Sequence, residues 1–399
     1  MAEGPLAGVR VLDLSSVIMG PYATQILGDL GADVITVESA AGDTSRIMSG
    51  GPVPQLSGIA LNLLRNKRNV DLDLRSEAGR TALLRIVATC DAFVTNLRPR
   101  SLKSLGLTYD ELAAVRPDLV YCQAQGFASD TDRADDPAYD DVIQAATGIA
   151  DAFRRVHGEP MLTPTIMADK VCGLTIAYAL LASLVRRATT GEGQHIEVPM
   201  VDVMKSFMLV EHGANAIADG STEPAGYPRI LTPNRRPQRT RDGWIHVLPY
   251  SRAHYEALFL AGERAELVGD PRCATLRDCI LNSDFLYQTV HSITGLRTTA
   301  EWLEFCSLHE IPATPVADLD ELVAELPFEE HPVAGRYRAT PSPVRFDRAI
   351  PGLRRHAPLI GQHTAEVLAE VGMSPDEIGA NAGHECLEPS ATTTTKDLA

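Results

Sequence analysis

Asp169 is the side chain of this sequence whose position best suits covalent chemistry. It stands directly before a helical pattern that begins at Val171 and closes with Arg186 and Arg187 ahead of two glycines. One hypothesis is a capping aspartate that accepts hydrogen bonds from the first amides of the helix. The other is a nucleophilic carboxylate, which the helix N-terminus holds ionised for attack on an activated carbonyl. The local pattern leaves both hypotheses open.

The elements that must position Asp169 alternate between strand and helix, which predicts an α/β fold with a parallel sheet. The first three are a strand at 9–14, a helix opened by Gly20 and Pro21, and a strand at 34–38. Glu38 resembles the ribose-binding acid of a dinucleotide fold, but the G-x-G-x-x-G fingerprint is absent, so NAD binding is rejected. Later strands are expected at 66–74, 91–96, 119–123 and 196–201, and helices at 76–89 and 109–115.

Ligands of such sheets bind beyond the carboxyl ends of the strands. The segments that follow the strands contain Val17, Ile18 and Met19, and the basic residues Arg46, Arg75 and Arg98. Basic residues at this edge suit a phosphorylated ligand. We expect Tyr139, Gly148 and Asp169 to converge at one end of the sheet.

The composition indicates a globular protein of two domains, with 399 residues of which 45% are hydrophobic. A formal net charge of −16 disfavours non-specific nucleic-acid binding. Seven scattered cysteines without a CxxC pair favour a reducing compartment, and no metal-ligand spacing is present. Because that spacing is missing, we expect no metal. We recognise neither a signal peptide nor a membrane span, so we expect a cytoplasmic protein with no membrane partner.

Many blocks of the chain, taken together, resemble the family III CoA-transferases (the CaiB/BaiF family). In chain order they are GVRVLDLSSVIMGPYATQILGDLGADVITVE, GDTSR, NKRNVDLDLRSEAGR, DAFVTNLRPRSLKSLGL, AYDDVIQAATG, ADKVCG, RRATTGEGQHIEV, GWIHVLPYSRAHYEAL, EWLEFCSLHEIPATPVADLDELV, HPVAGRY and APLIGQHTAEVL. The resemblance covers residues 6 to 380.

The resemblance implies a Rossmann-like large domain built from both chain termini, a smaller mixed α+β middle domain, and an interlocked homodimer. Residues 220–240, rich in Pro, Gly and Arg, read as a linker. The expected division is therefore 1–220 for the first part of the large CoA-binding domain, 221–325 for the small domain with its linkers, and 326–385 for the return to the large domain. Residues 386–399 are expected to form a disordered tail.

The resemblance also implies that Asp169 is the nucleophile and that coenzyme A is a co-substrate. The contacts to CoA that it implies fall on Val17, Ile18, Met19, Leu72, Leu74, Arg75, Asn96, Leu97, Arg98 and Tyr139. We infer in addition that Arg98, Arg100 or Lys103 takes the phosphate contacts. Backbone amides near Gly148 and at the helix N-terminus are expected to stabilise oxyanions.

The implied reaction moves CoA from an acyl-CoA donor to a small carboxylic acid through an aspartyl mixed anhydride and an aspartyl-CoA thioester. Ile18, Ser39 and Ser104 replace a glutamine and two arginines of formyl-CoA:oxalate transferases, whose glycine-rich loop has no counterpart at 248–252, so oxalate is disfavoured. An α-methylacyl-CoA racemase is an alternative, but Tyr139 stands where its histidine base is expected, and tyrosine is a poor base near neutral pH. A non-catalytic CoA-binding protein is a third hypothesis.

Overall fold

The structure is a computed structural model that describes residues 4–348 and 352–381. The expected disordered tail, 386–399, lies outside the described residues. The chain separates into two compact units. The first unit takes the described residues up to Ile143, Thr165–Met204 and those from Leu326 onward, and the second takes Gln144–Pro164 and Lys205–Glu325.

From β1 to β6, one or more helices lie between each pair of successive strands. The strands are β1 Arg10–Leu14, β2 Asp33–Glu38, β3 Lys67–Asp71, β4 Ala92–Thr95, β5 Val120–Gln125, β6 Gln194–Pro199, β7 Gln238–Arg239, β8 Trp244–Val247, β9 Ala313–Pro315, β10 Phe328–His331 and β11 Gly335–Arg338. The helices are α1 Met19–Asp29, α2 Gly58–Leu63, α3 Glu77–Val87, α4 Pro99–Leu105, α5 Tyr109–Val115, α6 Asp140–Ala146, α7 Ile149–His157, α8 Met167–Thr190, α9 Met200–His212, α10 Arg252–Ala261, α11 Leu276–Leu281, α12 Ser283–Thr294, α13 Thr299–Leu308, α14 Leu319–Ala324, α15 Thr364–Glu370 and α16 Pro375–Asn381.

A six-stranded sheet forms the centre of the first unit, in the order β3-β2-β1-β4-β5-β6. Every pairing in it is parallel. The α/β prediction with a parallel sheet is therefore confirmed. The direction of winding reverses between β1 and β4, and in open parallel sheets ligands bind at the carboxyl ends of the strands that flank this point.

The central strands are buried along most of their length, as expected where helices cover both faces of a parallel sheet. Leu12 on β1 pairs in register with Ile35 on β2 and with Phe93 on β4, and all three side chains are buried. They belong to one core cluster that continues into α15 through Val367 and Leu368. Residues of the N-terminal strands and of α15 thus pack in the same core.

Helices α1 and α8 pack closely against each other. A Cβ atom at Gly173 would lie 2.8 Å from the carbonyl oxygen of Met19, the first residue of α1. A glycine at 173 permits this approach of α8 to the α1 backbone, which any larger residue would obstruct.

The structure corrects several sequence expectations. Helix α8 begins at Met167 after an N-cap at Ile166, so Asp169 lies in the first turn and the capping hypothesis is wrong. Strand β6 ends at Pro199 and a helix, α9, follows at once, whereas the strand was expected to run to Val201.

The second unit contains the three-stranded sheet β7-β8-β9, with antiparallel pairings. Helices α10, α12 and α13 surround a core that includes Tyr255, Phe259 and Trp302. The segment expected as a linker, 220–240, contributes the short strand β7. The unit is therefore a mixed α and β structure with its own core.

Within the described part of the chain, α8 is the one helix whose length and apolar composition would allow it to cross a membrane. Core helices of globular proteins meet the same two criteria. Cys172, Ile176 and Leu180 on α8 are buried inside the protein. This feature alone therefore does not distinguish a core helix from a membrane span.

Candidate active site

A pocket of about 290 Å³ opens in the first unit beside the carboxyl ends of β1, β4 and β5. Its lining includes seven residues proposed from the sequence, and these are Val17, Met19, Asn96, Leu97, Arg98, Tyr139 and Asp169. They come from four separate segments of the chain. The reversal point of the sheet therefore brings together the candidate nucleophile and much of the expected CoA-contacting set.

Asp169 lies in this pocket with only 8% of its surface exposed. Its backbone N–H donates to the Oδ1 atom of Asp140 at 3.0 Å. Burial, and second the negative charge of Asp140, raise the pKa of the Asp169 carboxyl to about 6. No lysine or arginine of the described residues forms an ion pair with it.

A carboxyl with a pKa of about 6 is mostly ionised at neutral pH but is more basic than an ordinary aspartate. The first turn of a helix also favours a negative charge, because unpaired amides and the helix dipole point toward it. The site can therefore present an ionised and poorly solvated carboxylate to an electrophile in the pocket. Within the described residues, no three His, Cys, Asp or Glu side chains are grouped so as to hold a metal.

The segment that follows β1 forms part of the pocket wall, and its backbone is held by side-chain hydrogen bonds. Asn96 accepts a hydrogen bond from the Ser16 N–H at 3.0 Å and donates one to the Ser16 carbonyl at 2.8 Å. Val17 follows with a φ of +70°, which is unusual for a β-branched residue. The side-chain amide of Asn96, expected to contact a ligand, is thus engaged with the protein backbone.

The basic residues proposed for phosphate binding occupy different places. Arg98 lines the pocket and donates to the Asp135 carbonyl at 3.2 Å. Arg100 and Lys103 lie on α4 with exposed side chains outside the lining. Arg75 is exposed and lies 3.3 Å from Asp73.

Arg46 does not stand at the sheet edge as expected. Its guanidinium is buried and donates to both carboxylate oxygens of Glu38, at 2.6 and 2.7 Å. It also donates to the Pro358 carbonyl at 2.9 Å. The arginine and the acid considered as a ribose ligand therefore neutralise each other inside the protein.

Three apolar residues of the expected CoA-contacting set do not line the pocket. Ile18 is buried and is the N-cap of α1. Leu72 belongs to the main core cluster, and Leu74 packs against that cluster. Their predicted contacts to CoA stay predictions.

Gly148 belongs to the second unit. It is the N-cap of α7, with a φ of +94°, and it lines a small pocket of that unit together with Arg155 and His212. Gly148 belongs to a different unit from Tyr139 and Asp169. The expected convergence of the three residues therefore stays a prediction.

Several residues of the pocket were not proposed from the sequence, and these are Ser16, Ser101, Gln125, Gly126, Asp136, Pro137, Ala138 and Met200. Gln125 and Gly126 could have been found from the sequence, because they lie at the carboxyl end of β5. That strand continues to Gln125, two residues beyond its expected end. Asp140, which accepts a hydrogen bond from the Asp169 N–H, stands in the block AYDDVIQAATG, and nothing in that pattern indicates this contact.

Comparisons with known proteins find similar sequences and a similar fold. The profile of the family described as CoA-transferase family III matches residues 6–364. The succinate–glutarate CoA-transferase of Agrobacterium fabrum is 28% identical over 92% of this chain and 96% of its own length. The formyl-CoA:oxalate CoA-transferase of Escherichia coli is 25% identical over 94% of this chain and 98% of its own. The crystal structure of a CAIB/BAIF family protein from Brucella suis superposes with a TM-score of 0.78 at 28% identity, covering 92% of this chain and 100% of that one.

Proposed function

The chain belongs to CoA-transferase family III, and on this premise we propose that it transfers coenzyme A from an acyl-CoA thioester to a free carboxylic acid. The observation that carries the proposal is Asp169, a buried carboxylate without a basic partner among the described residues, in a pocket at the reversal point of the sheet. The relatives compared above are CoA-transferases, which supports the same general reaction.

In the proposed mechanism a carboxylate oxygen of Asp169 attacks the thioester carbonyl of the donor. The carbon–sulfur bond breaks, which gives an aspartyl–acyl mixed anhydride and the CoA thiolate. The thiolate then attacks the aspartyl carbonyl carbon, forms an aspartyl-CoA thioester and releases the donor acid. The acceptor carboxylate attacks this thioester to form a second mixed anhydride, and the returning thiolate takes the new acyl group and frees Asp169.

Other residues of the pocket have supporting parts in this proposal. The apolar side chains of Val17, Met19 and Met200 exclude water from two intermediates that would otherwise hydrolyse. Arg98 is the pocket-lining candidate for a phosphate of CoA, because a guanidinium donates hydrogen bonds to phosphate in a fixed fork. The amides at the start of α8 and near Gly148 are proposed to stabilise the oxyanions.

The donor and acceptor acids are proposed to be larger than oxalate. Met19 and Met200 give the wall near Asp169 an apolar character that a small, doubly charged acid does not need. A panel of acyl-CoA donors with mono- and dicarboxylate acceptors, read by mass spectrometry of the CoA products, would identify the pair. Oxalate turned over faster than every longer acid would contradict this preference.

The transfer proposal is tested by trapping the enzyme intermediate. Incubation with an acyl-CoA and hydroxylamine should place a hydroxamate on Asp169, which peptide mass spectrometry locates. The matched control is Asp141→Asn, which alters an exposed acid beside α6 residue Asp140 and should leave the adduct unchanged. CoA binding without any adduct or exchange would favour a non-catalytic CoA-binding protein.

Proton transfer at the α-carbon of an acyl-CoA, as in a racemase, is a second candidate. The raised pKa of Asp169, about 6, suits a general acid–base group as well as a nucleophile. Exchange of solvent deuterium into the α-position of a 2-methylacyl-CoA, without exchange of CoA between acids, would favour this reaction over transfer.

We further propose that the protein is a homodimer. Leu174, Tyr178 and Val185 form an exposed apolar row on α8, at spacings that place them on one helix face. A second copy of the chain is the proposed cover for this row, in line with the interlocked dimers implied by the family resemblance. Light scattering should give twice the 43.0 kDa chain mass, and Tyr178→Glu should lower the dimer fraction. A monomer that partitions into detergent micelles would point instead to a membrane.

A further inference from the structure

Val17 holds a backbone conformation that valine rarely adopts. Its φ of +70° lies in the left-handed region, where a branched Cβ crowds the backbone. The residue lies on the pocket wall, two positions before the start of α1. Conformations of this kind persist only where neighbouring structure imposes them, and they concentrate at functional sites.

Two polar side chains from distant segments impose this conformation. Asp43 accepts a hydrogen bond from the Val17 N–H through Oδ2 at 2.9 Å. Asn96 holds the preceding residue, Ser16, by hydrogen bonds to both its N–H and its carbonyl, at 3.0 and 2.8 Å. The peptide before Val17 is thus held at both ends.

Asp43 is in turn positioned by the buried ion pair between Glu38 and Arg46. The Asp43 N–H donates to Oε2 of Glu38 at 2.6 Å, and the chain turns at Gly42 with a φ of +74°. The other carboxylate oxygen of Asp43 accepts from the Ser45 N–H at 2.7 Å. The carboxylate that holds the pocket wall lies in the turn after β2, and its backbone is bonded to a buried ion pair.

The same wall has a fixed position relative to Asp169. Met19 begins α1, and its carbonyl oxygen would lie 2.8 Å from a Cβ at Gly173, which is one turn after Asp169 on α8. Because the two helices touch at this point, the segment at 16–18 leads directly into a helix that packs against the one carrying Asp169.

We infer that Asp43 is a positioning residue for the CoA site: it holds Val17 in the left-handed conformation and so fixes the wall opposite Asp169. The identity of the ligand rests on the proposed function, whereas the conformation of Val17 and its hydrogen bonds do not. Asp43 does not line the pocket, so its loss leaves the carboxylate of Asp169 in place and disturbs the fit of the ligand.

The test is a double-mutant cycle between Asp43→Ala and Val17→Gly, read by calorimetric binding of CoA. Asp43→Ala should weaken CoA binding about tenfold, because Val17 loses the acceptor that holds it. Glycine adopts a φ of +70° without a steric penalty. In the Val17→Gly background the same Asp43→Ala change should therefore cost less than about threefold in affinity. Asp43→Asn keeps an acceptor oxygen and should retain most of the binding.

Two further measurements complete the test. Thermal unfolding of each variant shows that it is folded, and a crystal structure of Asp43→Ala should show Val17 at a negative φ. CoA affinity within about twofold of wild type in Asp43→Ala, or an equal loss in both backgrounds, would overturn the inference. If the wild-type protein bound no CoA, the proposed function would fail by itself, and an unchanged φ of Val17 in Asp43→Ala would separately overturn the positioning role.

Discussion

Buried carboxylates occur in two contrasting surroundings in the first unit. One set lies on strands of the sheet and at the end of α1, and each member is held against a basic side chain that is buried as well. Such pairs are well supplied with further hydrogen bonds, as buried charges require. These pairs are Glu38 with Arg46 at 2.6 Å, Asp29 with Arg65 at 2.6 Å, and Asp13 with Lys67 at 3.0 Å.

Asp169 is buried to a similar degree but has no such partner among the described residues. Burial is the main cause that raises the pKa of Asp169. The negative charge of Asp140 raises the same pKa further. The contrast shows what a buried acid does in each setting. A paired carboxylate joins segments of the fold, whereas an unpaired one keeps the basicity that attack on a carbonyl needs.

The largest expected effect comes from removing the unpaired acid. Asp169→Asn keeps the shape of the side chain but replaces the carboxylate by a neutral, poorly nucleophilic amide, and turnover should fall about 10⁴-fold or more, as for other deleted nucleophiles. CoA binding should persist, because the pocket wall is unchanged. The measurement is steady-state CoA transfer beside CoA calorimetry. Turnover within tenfold of wild type would remove the distinction between the two kinds of acid.

Breaking a paired acid should instead damage stability. Arg46→Met leaves Glu38 buried without its cation, which should lower the free energy of unfolding by about 3–5 kcal/mol. The double change Glu38→Gln with Arg46→Met removes both charges and should cost less. Urea unfolding followed by circular dichroism measures each. The control is Arg75→Met, which breaks the exposed contact with Asp73 and should have no measurable effect. A double variant less stable than Arg46→Met would contradict the expectation.

The two kinds of acid should also differ in the sign of their effect on stability. Because the pKa of Asp169 rises from 3.8 to about 6 on folding, its contribution favours the folded state below pH 4 and is lost as pH rises through 6. Asp169→Asn cannot ionise, so at pH 7.5 it should be more stable than wild type, by on the order of 1–3 kcal/mol.

The gain of Asp169→Asn should shrink to nothing well below pH 4, where the wild-type carboxyl is protonated in both states. Thermal unfolding at a series of pH values measures the difference. Glu38→Gln should show the opposite sign at pH 7.5, because it weakens the pair with Arg46. A destabilised Asp169→Asn at neutral pH would mean that this acid is also structural.

The sequence predicted the strands and helices that position these acids better than it predicted the contacts of individual side chains. Apolar runs and glycines located the strands on either side of the sheet reversal and the helix that starts beside Asp169, but the structure was needed to place Asp169 in its first turn. An arginine that follows a strand looks the same in sequence whether it faces a phosphate or folds back onto an acid. Arg46 does the second because the chain reverses at Gly42, which brings Arg46 to Glu38 eight residues earlier.

Two other differences between expectation and structure have similar causes. Asn96 follows a strand as expected, but its amide bonds to the Ser16 backbone, a contact between residues 80 apart that periodicity does not reveal. Helix α9 was missed because Val198 and Val201 continue the apolar pattern of β6 across Pro199. Non-local hydrogen bonds and element ends are thus the parts that required the structure.

The smallest expected effect concerns the like charge beside Asp169, and it tests whether that charge tunes the nucleophile. Asp140→Asn removes the negative charge but keeps an oxygen that can accept the Asp169 N–H bond, which spans 3.0 Å in the wild type. Because the charge of Asp140 raises the pKa of Asp169, the variant should shift the acidic limb of the rate–pH profile to lower pH, by less than about one unit since burial is the larger cause. Activity relative to its own maximum should therefore be higher than wild type at pH 5 and equal at pH 8, where Asp169 is ionised in both proteins.

Asp141→Asn, an exposed neighbour, controls for a general change in surface charge. A profile of Asp140→Asn that coincides with wild type would show that burial alone sets the basicity of Asp169, and Asp140 would then act only as an acceptor for the first turn of α8.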